Sequence, residues 1–237
     1  MCKKFDRMYF LCIQKYLSMS ASQLITDKTP TISPMETVKK ALRIMDGHKY
    51  EHLPVVSEGM QYVGLLSYNM LGEVGNPNVL IESLSLERPS VSDDFDIYGV
   101  LRLMSQQHYS VLPVADAQGK YLGCITRESL IDHLADMTAA HAPGGVIELE
   151  TDSRNYSPAV ISGVAEYNSM KILSMLSQPN GAHGVRAVLK LNGHETSSVI
   201  QGLERNGYRV RNVRGGDSKY NDMLEERYDA LVRYMNA

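Results

Sequence analysis

The sequence contains an internal duplication. Residues 29–71 recur as residues 88–130 without a gap, and Pro30 with Pro89 sets an offset of 59 residues. Two fused copies of one unit predict a module with pseudo-two-fold symmetry and with clefts where the copies meet. Small ligands usually bind in such clefts, so the duplication also indicates where a binding site should lie.

Each copy begins with an extended segment that leads into an amphipathic helix. Ser33 and Ser92 are placed to cap these helices, and Pro34 would occupy the first helical position in the first copy. Apolar residues then follow at the spacing of three and four that buries one helix face. They are Val38, Ala41, Leu42 and Met45 in the first copy and Ile97, Val100, Leu101 and Met104 in the second.

Two short strands follow each helix, and polar turns join them. A hydroxyl residue, Ser67 or Thr126, then begins a second helix. The predicted order in each copy is strand, helix, strand, strand, helix. The four short strands are predicted at residues 53–56, 62–66, 111–114 and 121–125.

A proline interrupts the first of these strands in each copy, at Pro54 and Pro113. Proline cannot donate a ladder hydrogen bond, so it belongs at an edge or at a strand start. The neighbouring backbone groups could then meet a ligand, or the proline could only protect an edge against aggregation. The spacing leaves both interpretations open.

The ordered motifs resemble a known family. Pro-x-x-Ser, Leu-Pro-Val and then Gly-Leu-Leu-Ser or Gly-Cys-Ile-Thr occur twice at constant spacing, which resembles a pair of CBS domains, often called a Bateman module. The resemblance implies a regulatory module whose clefts commonly bind adenosine nucleotides. It also implies a flat homodimer of two such modules.

Carried over to this chain, the resemblance places Ile32 and Val91 beside the base and Ser67 and Thr126 near phosphate. Arg127, next to Thr126, can also donate to a phosphate. The ligand-binding residues implied or proposed are Ile32, Pro54, Ser67, Val91, Pro113, Thr126, Arg127 and Ser129.

The family's aspartate for the ribose hydroxyls is absent from both copies. Met70 stands at its position in the first copy and Ser129 in the second. A methionine accepts hydrogen bonds poorly, and a serine does so without charge assistance. We therefore expect the second site, at Thr126, to bind a ligand before the first.

The turn Pro143-Gly144-Gly145 begins a different pattern, in the order strand, helix, strand, strand, helix, strand. This is a ferredoxin-like order, with caps predicted at Ser157 and at residues 192–195. The sequence of this region resembles an ACT-type domain, and the chain resembles the acetoin-utilisation group of CBS proteins. ACT domains often bind amino acids near a glycine after the first strand, whereas residues 151–155 contain none.

The predicted fold class is α+β, a tandem CBS-domain pair followed by a ferredoxin-like (βαββαβ) ACT-type domain. A closing helix from Ser218 to Met235 could dock on its own domain or on a partner chain. Arginines at the last strand, Arg209 and Arg211, are interpreted as an edge guard rather than an anion site. The predicted boundaries are a loose extension at 1–18, CBS domains at 19–82 and 83–142, the ACT-like domain at 143–216 and the helix at 217–237.

Composition excludes several classes of function. A net charge of −3 argues against a nucleic-acid-binding surface. No apolar stretch is long enough to span a membrane, and three cysteines without metal or disulfide spacing fit a reducing cytoplasm. No hydrolase, phosphate-loop or zinc motif occurs, and His48 and His52 lack a third metal ligand. We expect a cytoplasmic protein that is not an enzyme and holds no metal.

Three functional hypotheses remain. The first is a sensor, with no required cofactor, of an adenosine-containing effector such as AMP, ADP, ATP, NAD or S-adenosylmethionine, which signals to an unidentified protein. The second is a ligand-independent homodimeric scaffold whose clefts are plugged by side chains such as Met70. The third is an amino-acid sensor that uses the ACT-like domain.

Overall fold

A computed structural model describes residues 20–26 and 29–215. The chain divides into two compact units between His133 and Leu134. The loose extension predicted at residues 1–18 and the closing helix from Ser218 to Met235 lie outside the described residues.

The first unit repeats one arrangement of helices and strands, as the duplication predicts. In each copy a long helix precedes an antiparallel hairpin, and a further helix begins directly after it. The elements are α1 (Val38–His48), β1 (His52–Val56), β2 (Tyr62–Ser67), α2 (Tyr68–Gly72), α3 (Ile97–Gln106), β3 (Val111–Ala115), β4 (Tyr121–Thr126) and α4 (Arg127–Met137), whose last residues belong to the second unit.

The first helix of each copy begins later than the sequence predicts. Its cap is Thr37 in α1, whose side chain accepts from the Lys40 amide, and Asp96 in α3. Ser33 instead accepts from the Met35 amide at 3.3 Å, within a turn that precedes the helix. The predicted capping role of Ser33 and Ser92 is therefore wrong, since short turns satisfy the amides that these serines were expected to cap.

The prolines lie within hairpin strands that a short extended segment also contacts. Ile32 forms a parallel bridge with Val55, and its amide donates to the Pro54 carbonyl at 3.0 Å. Val91 contacts β3 in the same way, through the Pro113 carbonyl at 3.1 Å. The extended segments predicted at the start of each copy are thus confirmed.

The segment that precedes each copy pairs with the other copy. The Thr26 amide donates to the Cys124 carbonyl on β4, and the Leu65 amide on β2 donates to the Glu87 carbonyl, both at 2.9 Å. Leu65 and Cys124 are equivalent under the offset of 59 residues. Each copy therefore completes its hairpin with a strand-like segment from ahead of the other copy.

The second unit is a four-stranded antiparallel sheet with two helices. The strand order is β6-β7-β5-β8, which confirms the ferredoxin-like prediction. Both helices contribute to one apolar core with the inward side chains of the sheet. The elements are β5 (Val146–Asp152), α5 (Pro158–Tyr167), β6 (Ile172–Asn180), β7 (Gly184–Leu191), α6 (Ser197–Arg205) and β8 (Arg209–Arg214).

Of the two helix caps predicted in this unit, one is confirmed and the other is wrong. Ser157 caps α5 by accepting from the Val160 amide, and proline follows at the first position, as predicted. The predicted capping box at residues 192–195 is wrong, because α6 begins after Thr196. Asn192 instead accepts from the Lys171 amide at 2.8 Å, which ties the start of β6 to the end of β7.

Arg211 forms an ion pair within the sheet. Its Nε lies 2.6 Å from Glu150 Oε2, and Arg186 approaches Oε1 of the same carboxylate at 2.9 Å. Hydrogen bonds from Arg211 and then from Arg186 lower the pKa of Glu150. A β-bulge between Glu148 and Leu149 in the pairing of β5 with β8 accompanies this contact.

The linker between the two copies, at Leu86 and Glu87, passes close to β2. We therefore predict that Gly64 of β2 cannot be replaced by a larger residue without loss of stability. A Cβ at Gly64 would lie 2.7 Å from Leu86 Cβ and 2.8 Å from the Glu87 carbonyl oxygen. Because this backbone is held by its bond to Leu65, we expect Gly64→Ala to lower the free energy of unfolding by about 1–3 kcal/mol in urea titrations.

Gly47→Ala is the matched control for Gly64→Ala. Gly47 lies in α1, and a Cβ there would meet nothing within 4 Å. Alanine favours a helix interior over glycine, so this variant should unfold at the same or a slightly higher urea concentration. Equal destabilisation of both variants would show that the linker does not constrain Gly64.

Candidate functional site

A cleft of about 810 Å³ opens in the first unit, and both copies contribute to it. Its volume lies within the usual range for a small-ligand site. The lining is polar and aromatic, with two cationic and two acidic side chains. The lining residues are Met45, Asp46, Lys49, Tyr50, Glu51, His52, Ser67, Tyr68, Asn69, Gln107, His108 and Arg127.

Equivalent turns of the two copies bring these side chains together. Lys49 and His108 occupy the same place in the repeat, and both have left-handed backbones, with φ of 57° and 55°. Each follows the last turn of a long helix, where the left-handed conformation ends the helix. The chain then enters β1 or β3, so the carboxyl ends of α1 and α3 both contribute to the cleft.

Arg127 connects the two copies across the cleft. Its Nε and Nη2 donate to the carbonyls of Tyr109 and His108 at 3.2 and 2.6 Å. Its Nη1 lies 3.1 Å from Glu51 Oε2, in the other copy. A guanidinium near the carboxyl end of a helix is favourable, because exposed carbonyls there carry partial negative charge.

His52 also reaches across to the second copy. Its Nδ1 accepts from the Ser110 amide at 3.2 Å and lies 3.0 Å from Ser110 Oγ, while its ring packs edge-on against Tyr109. Burial lowers the pKa of His52; Glu51 opposes this shift and Arg127 reinforces it. Since a backbone amide can only donate, this contact requires Nδ1 to be unprotonated.

Tyr68 occupies in the first copy the place that Arg127 occupies in the second. A hydrogen bond with Asp46 raises the pKa of Tyr68. The backbone amides remain equivalent, with Tyr68 donating to the Glu51 carbonyl and Arg127 to the Ser110 carbonyl. The side chains therefore give the two equivalent positions different chemistry on the same backbone.

Two of the eight predicted binding residues, Ser67 and Arg127, line this cleft. Ser67 caps α2 by accepting from the Met70 amide at 3.2 Å. Thr126 and Ser129 cap α4 reciprocally: each hydroxyl oxygen accepts from the other residue's amide, at 3.1 and 3.0 Å. The four residues of the extended segments and hairpin strands are buried: Ile32, Pro54, Val91 and Pro113.

Met70 does not line the cleft. It packs against the apolar core of the first copy, where Val38, Leu53 and Leu71 are buried. The scaffold hypothesis expected side chains such as Met70 to plug the clefts, and Met70 does not occupy this cleft.

Sequence reasoning missed most of the lining, including Asp46, Lys49, Tyr50 and Glu51. Asp46 lies in the last turn of α1, and the other three lie in the short connection between α1 and β1. The signal was present in the repeat, because the equivalent connection holds His108 and forms the opposite side. Comparing the two connections position by position would have identified a polar surface shared by both copies.

A smaller polar cavity of about 250 Å³ lies in the second unit, at the turn after β5. Thr151, Asp152 and Asn155 contribute to it, together with Arg209. In the part of the chain that the structure describes, no group of three or more acidic, histidine or cysteine residues could hold a metal ion. No helix of residues 20–26 and 29–215 is long and apolar enough to cross a bilayer.

The lowered pKa of His52 predicts a pH dependence of stability. The unfolded chain binds the proton first as the pH falls through about 6.5, so the free energy of unfolding should decrease below that pH. In His52→Asn, whose amide oxygen can still accept from Ser110, this decrease should be smaller. Urea titrations at pH about 7.5 and about 5.5 measure the difference.

His141→Asn, which removes an exposed histidine elsewhere, is the control for this comparison. Apart from the replaced residue, each variant has the same histidines as the wild type. Their contributions to the pH dependence therefore cancel when the change in the free energy of unfolding of a variant is subtracted from that of the wild type. Equal changes in the wild type and in His52→Asn would contradict a role for His52.

Comparison with known proteins agrees with the duplicated fold. A model of the CBS domain family matches residues 21–71 and 72–136. A homoserine O-acetyltransferase of Methanocorpusculum labreanum is 29% identical over 114 residues, which are 47% of this chain and 23% of that protein. The magnesium transporter MgtE of Thermus thermophilus is 26% identical over 199 residues, which are 81% of this chain and 40% of the transporter. The chain spans less than half the length of either relative.

A CBS domain pair/ACT domain protein of Thermotoga maritima is similar among solved structures. It is 19% identical, with a TM-score of 0.45, and the match covers 50% of this chain and 98% of that protein. The match to the family model and the duplicated elements of the first unit agree on the assignment. Residues 21–136 of this chain belong to the CBS domain family, as a pair of CBS domains.

Proposed function

We propose that this protein is a cytoplasmic, non-enzymatic regulator that binds an adenosine-containing small molecule in the cleft of its CBS pair. The observation that supports this most is the cleft of about 810 Å³, to which both copies contribute charged and aromatic side chains. Tyr50 and Tyr68 offer rings to a base, and Lys49 and Arg127 offer donors to a phosphate or carboxylate.

The charges that line the cleft favour a ligand with few net charges. Lys49 and Arg127 are balanced by Asp46 and Glu51. A triphosphate would bring several negative charges close to two carboxylates, whereas AMP brings fewer and S-adenosylmethionine carries both signs. Among adenosine compounds we therefore expect these two to bind more tightly than ATP.

Binding would change how the two copies are connected. Arg127 already donates to carbonyls of its own copy and pairs with Glu51 of the other. An anionic group in the cleft would compete with Glu51 for the guanidinium, and so would alter a contact between copies. A ligand can shift such an arrangement only by binding its two states with different affinity, and the second unit or a dimer partner would respond to that shift.

Amino-acid sensing by the second unit is the second candidate. The polar cavity of about 250 Å³ contains both acidic and basic side chains, among them Asp152 and Arg209. This combination suits the ammonium and carboxylate of an amino acid. Calorimetry with the common amino acids and with adenosine compounds distinguishes this candidate. Binding heat from an amino acid and none from the adenosine compounds would favour it over the nucleotide proposal.

The main test is thermal unfolding of protein stripped of copurified ligand, with AMP, ADP, ATP, NAD and S-adenosylmethionine. A ligand at a hundred times its dissociation constant should add about 2.7 kcal/mol to the free energy of unfolding. We expect AMP or S-adenosylmethionine to raise the melting temperature most. A protein that responds to none of the five compounds would contradict the proposal.

The cleft residues predict two opposite mutational effects on an anionic ligand such as AMP. Arg127→Met should weaken binding about tenfold or more, because a charge-assisted hydrogen bond is lost. Glu51→Gln should strengthen binding, because the competing carboxylate is removed. Isothermal titration calorimetry measures both changes.

Arg102→Met is the matched control for Arg127→Met. Arg102 is an exposed arginine of α3 and does not line the cleft. Its replacement removes the same charge from the unit and should leave the affinity unchanged. Similar losses in Arg102→Met and Arg127→Met would indicate a general electrostatic effect rather than a contact in the cleft.

A further inference from the structure

The sheet of the second unit has one covered face and one open face. Leu149, Ala187 and Leu189 are buried on the covered face, in the core to which α5 and α6 contribute. Since side chains alternate along a strand, the residues between them point to the opposite side, which we call the open face. Paired residues form three rows across it: Ser174, Lys190, Val146 and Arg214; Leu176, Val188, Glu148 and Asn212; and Gln178, Arg186, Glu150 and Arg209.

Apolar side chains on the open face are exposed. Leu176, in the middle row, is 56% exposed, and Leu173, in the β-bulge beside the first row, is 39% exposed. Val188 and Val146, on the two central strands, are half-buried. Neighbouring apolar side chains that are exposed mark surfaces that another segment or molecule covers. The open face therefore has the character of a docking surface.

The excess charge of the open face is positive. In the three rows, with Arg211 beside them, five side chains are basic and two are acidic. Arginines already pair with both carboxylates. An occupant with a negative net charge is therefore favoured. The basic residues are Arg186, Lys190, Arg209, Arg211 and Arg214, and the acidic residues are Glu148 and Glu150.

Residues 216–237, which lie outside the described residues, have a matching composition. They include five acidic and three basic residues, so their net charge is negative. The helix predicted from Ser218 to Met235 carries an apolar stripe along one side. The stripe consists of Tyr220, Leu224, Tyr228, Leu231 and Met235. The segment thus offers both the apolar surface and the charge that the open face lacks.

The chain leaves β8 within reach of the exposed leucine. Arg214 belongs to the first row, three strands away from β6, and its Cα lies about 16 Å from that of Leu176 at ordinary strand spacings. Four extended residues from Arg214 to Ser218 span about 13 Å. A helix that begins at Ser218 carries Leu224 about 9 Å further. The apolar stripe can therefore lie across Leu176 and Val188.

We propose that residues 218–235 pack as an amphipathic helix on the open face of their own sheet, with the apolar stripe against Leu176 and Val188. The sheet then has helices on both faces, and its exposed leucine is covered. The short connection after Arg214 favours the same chain as the source, because a short tether gives an effective concentration on the order of millimolar. This packing does not depend on a ligand in the CBS-pair cleft.

A single tryptophan tests the cover in the full-length chain, whose sequence contains none. Leu176→Trp is compared with Tyr167→Trp, which replaces a side chain of α5 that is 89% exposed. We expect the tryptophan at position 176 to emit at shorter wavelength and to be quenched less by acrylamide, because the segment shields it from water. Equal emission and equal quenching at the two positions would overturn the proposal.

Substitutions in the stripe test whether the segment provides this shielding. Leu224→Asp with Tyr228→Asp, added to Leu176→Trp, should shift the emission to longer wavelength and increase the quenching, while circular dichroism shows that the sheet is retained. Arg233→Asp is the matched control, because it changes the net charge by the same amount on the opposite side of the predicted helix. It should leave both readouts unchanged. Shielding that persists in the double aspartate variant would contradict the proposal.

Mixing identifies the chain that supplies the segment. The chain with Leu176→Trp, Leu224→Asp and Tyr228→Asp is incubated with an excess of the unsubstituted chain, which has no tryptophan to emit. If each segment covers its own sheet, the emission of the mixture stays that of the variant alone. Restored shielding would show that a second copy supplies the segment, and would overturn the assignment to the same chain.

Discussion

The architecture of the first unit depends on two places where one backbone segment passes directly over another. The linker at Leu86 and Glu87 crosses β2 at Gly64, and the segment at Ile25 crosses β4 at Gly123. Backbone hydrogen bonds hold both crossings. A side chain at Gly64 would meet the backbone at Glu87, and one at Gly123 would meet the Ile25 side chain, so these glycines allow each copy to complete the other. Because neither hairpin is complete without the segment ahead of the other copy, the two copies are expected to fold together.

The cleft follows from this interlocking. Once the copies are held with β1 beside β3, the turns that end α1 and α3 lie at one surface, and both turns need a left-handed residue. The carbonyls of His108 and Tyr109, which follow α3, then accept hydrogen bonds from Arg127. The guanidinium thus has a structural function before any ligand is considered. Its pairing with Glu51 is solvent-exposed and contributes little stability by itself, which leaves it available for exchange.

Much of the fold could be predicted because it depends on residue spacings that are visible in the sequence alone. The constant offset and the Leu-Pro-Val strands gave the order of elements in the first unit, and the spacing of apolar residues with the turn residues gave it in the second. The helix caps were less predictable. Ser33 and Asn192 have side chains that can cap a helix, but they accept hydrogen bonds from the amides of Met35 and Lys171 instead. Local propensity cannot show which amide a short polar side chain will meet.

The cleft was harder to predict than the fold. Family motifs drew attention to Thr126 and Ser129, whose hydroxyls are engaged in capping α4. Several side chains that line the cleft, among them Lys49, Glu51 and His108, belong instead to irregular connections, where no periodicity marks a surface. Their proximity arises from contacts between residues about 58 positions apart, such as His52 with Ser110. Only the paired arrangement of the copies brings them together.

The contact of His52 with Ser110 also breaks the symmetry of the duplication. The equivalent positions in the repeat hold Val111 and Glu51, so rotation about the pseudo-two-fold axis cannot reproduce this bond. The two halves of the cleft therefore differ in their side chains, although the pseudo-two-fold axis relates their backbones. A molecule that filled the cleft would have one end at Tyr68 and the other at Arg127, and reversing it would exchange a phenol for a guanidinium. Each chain would then hold its ligand in a single orientation.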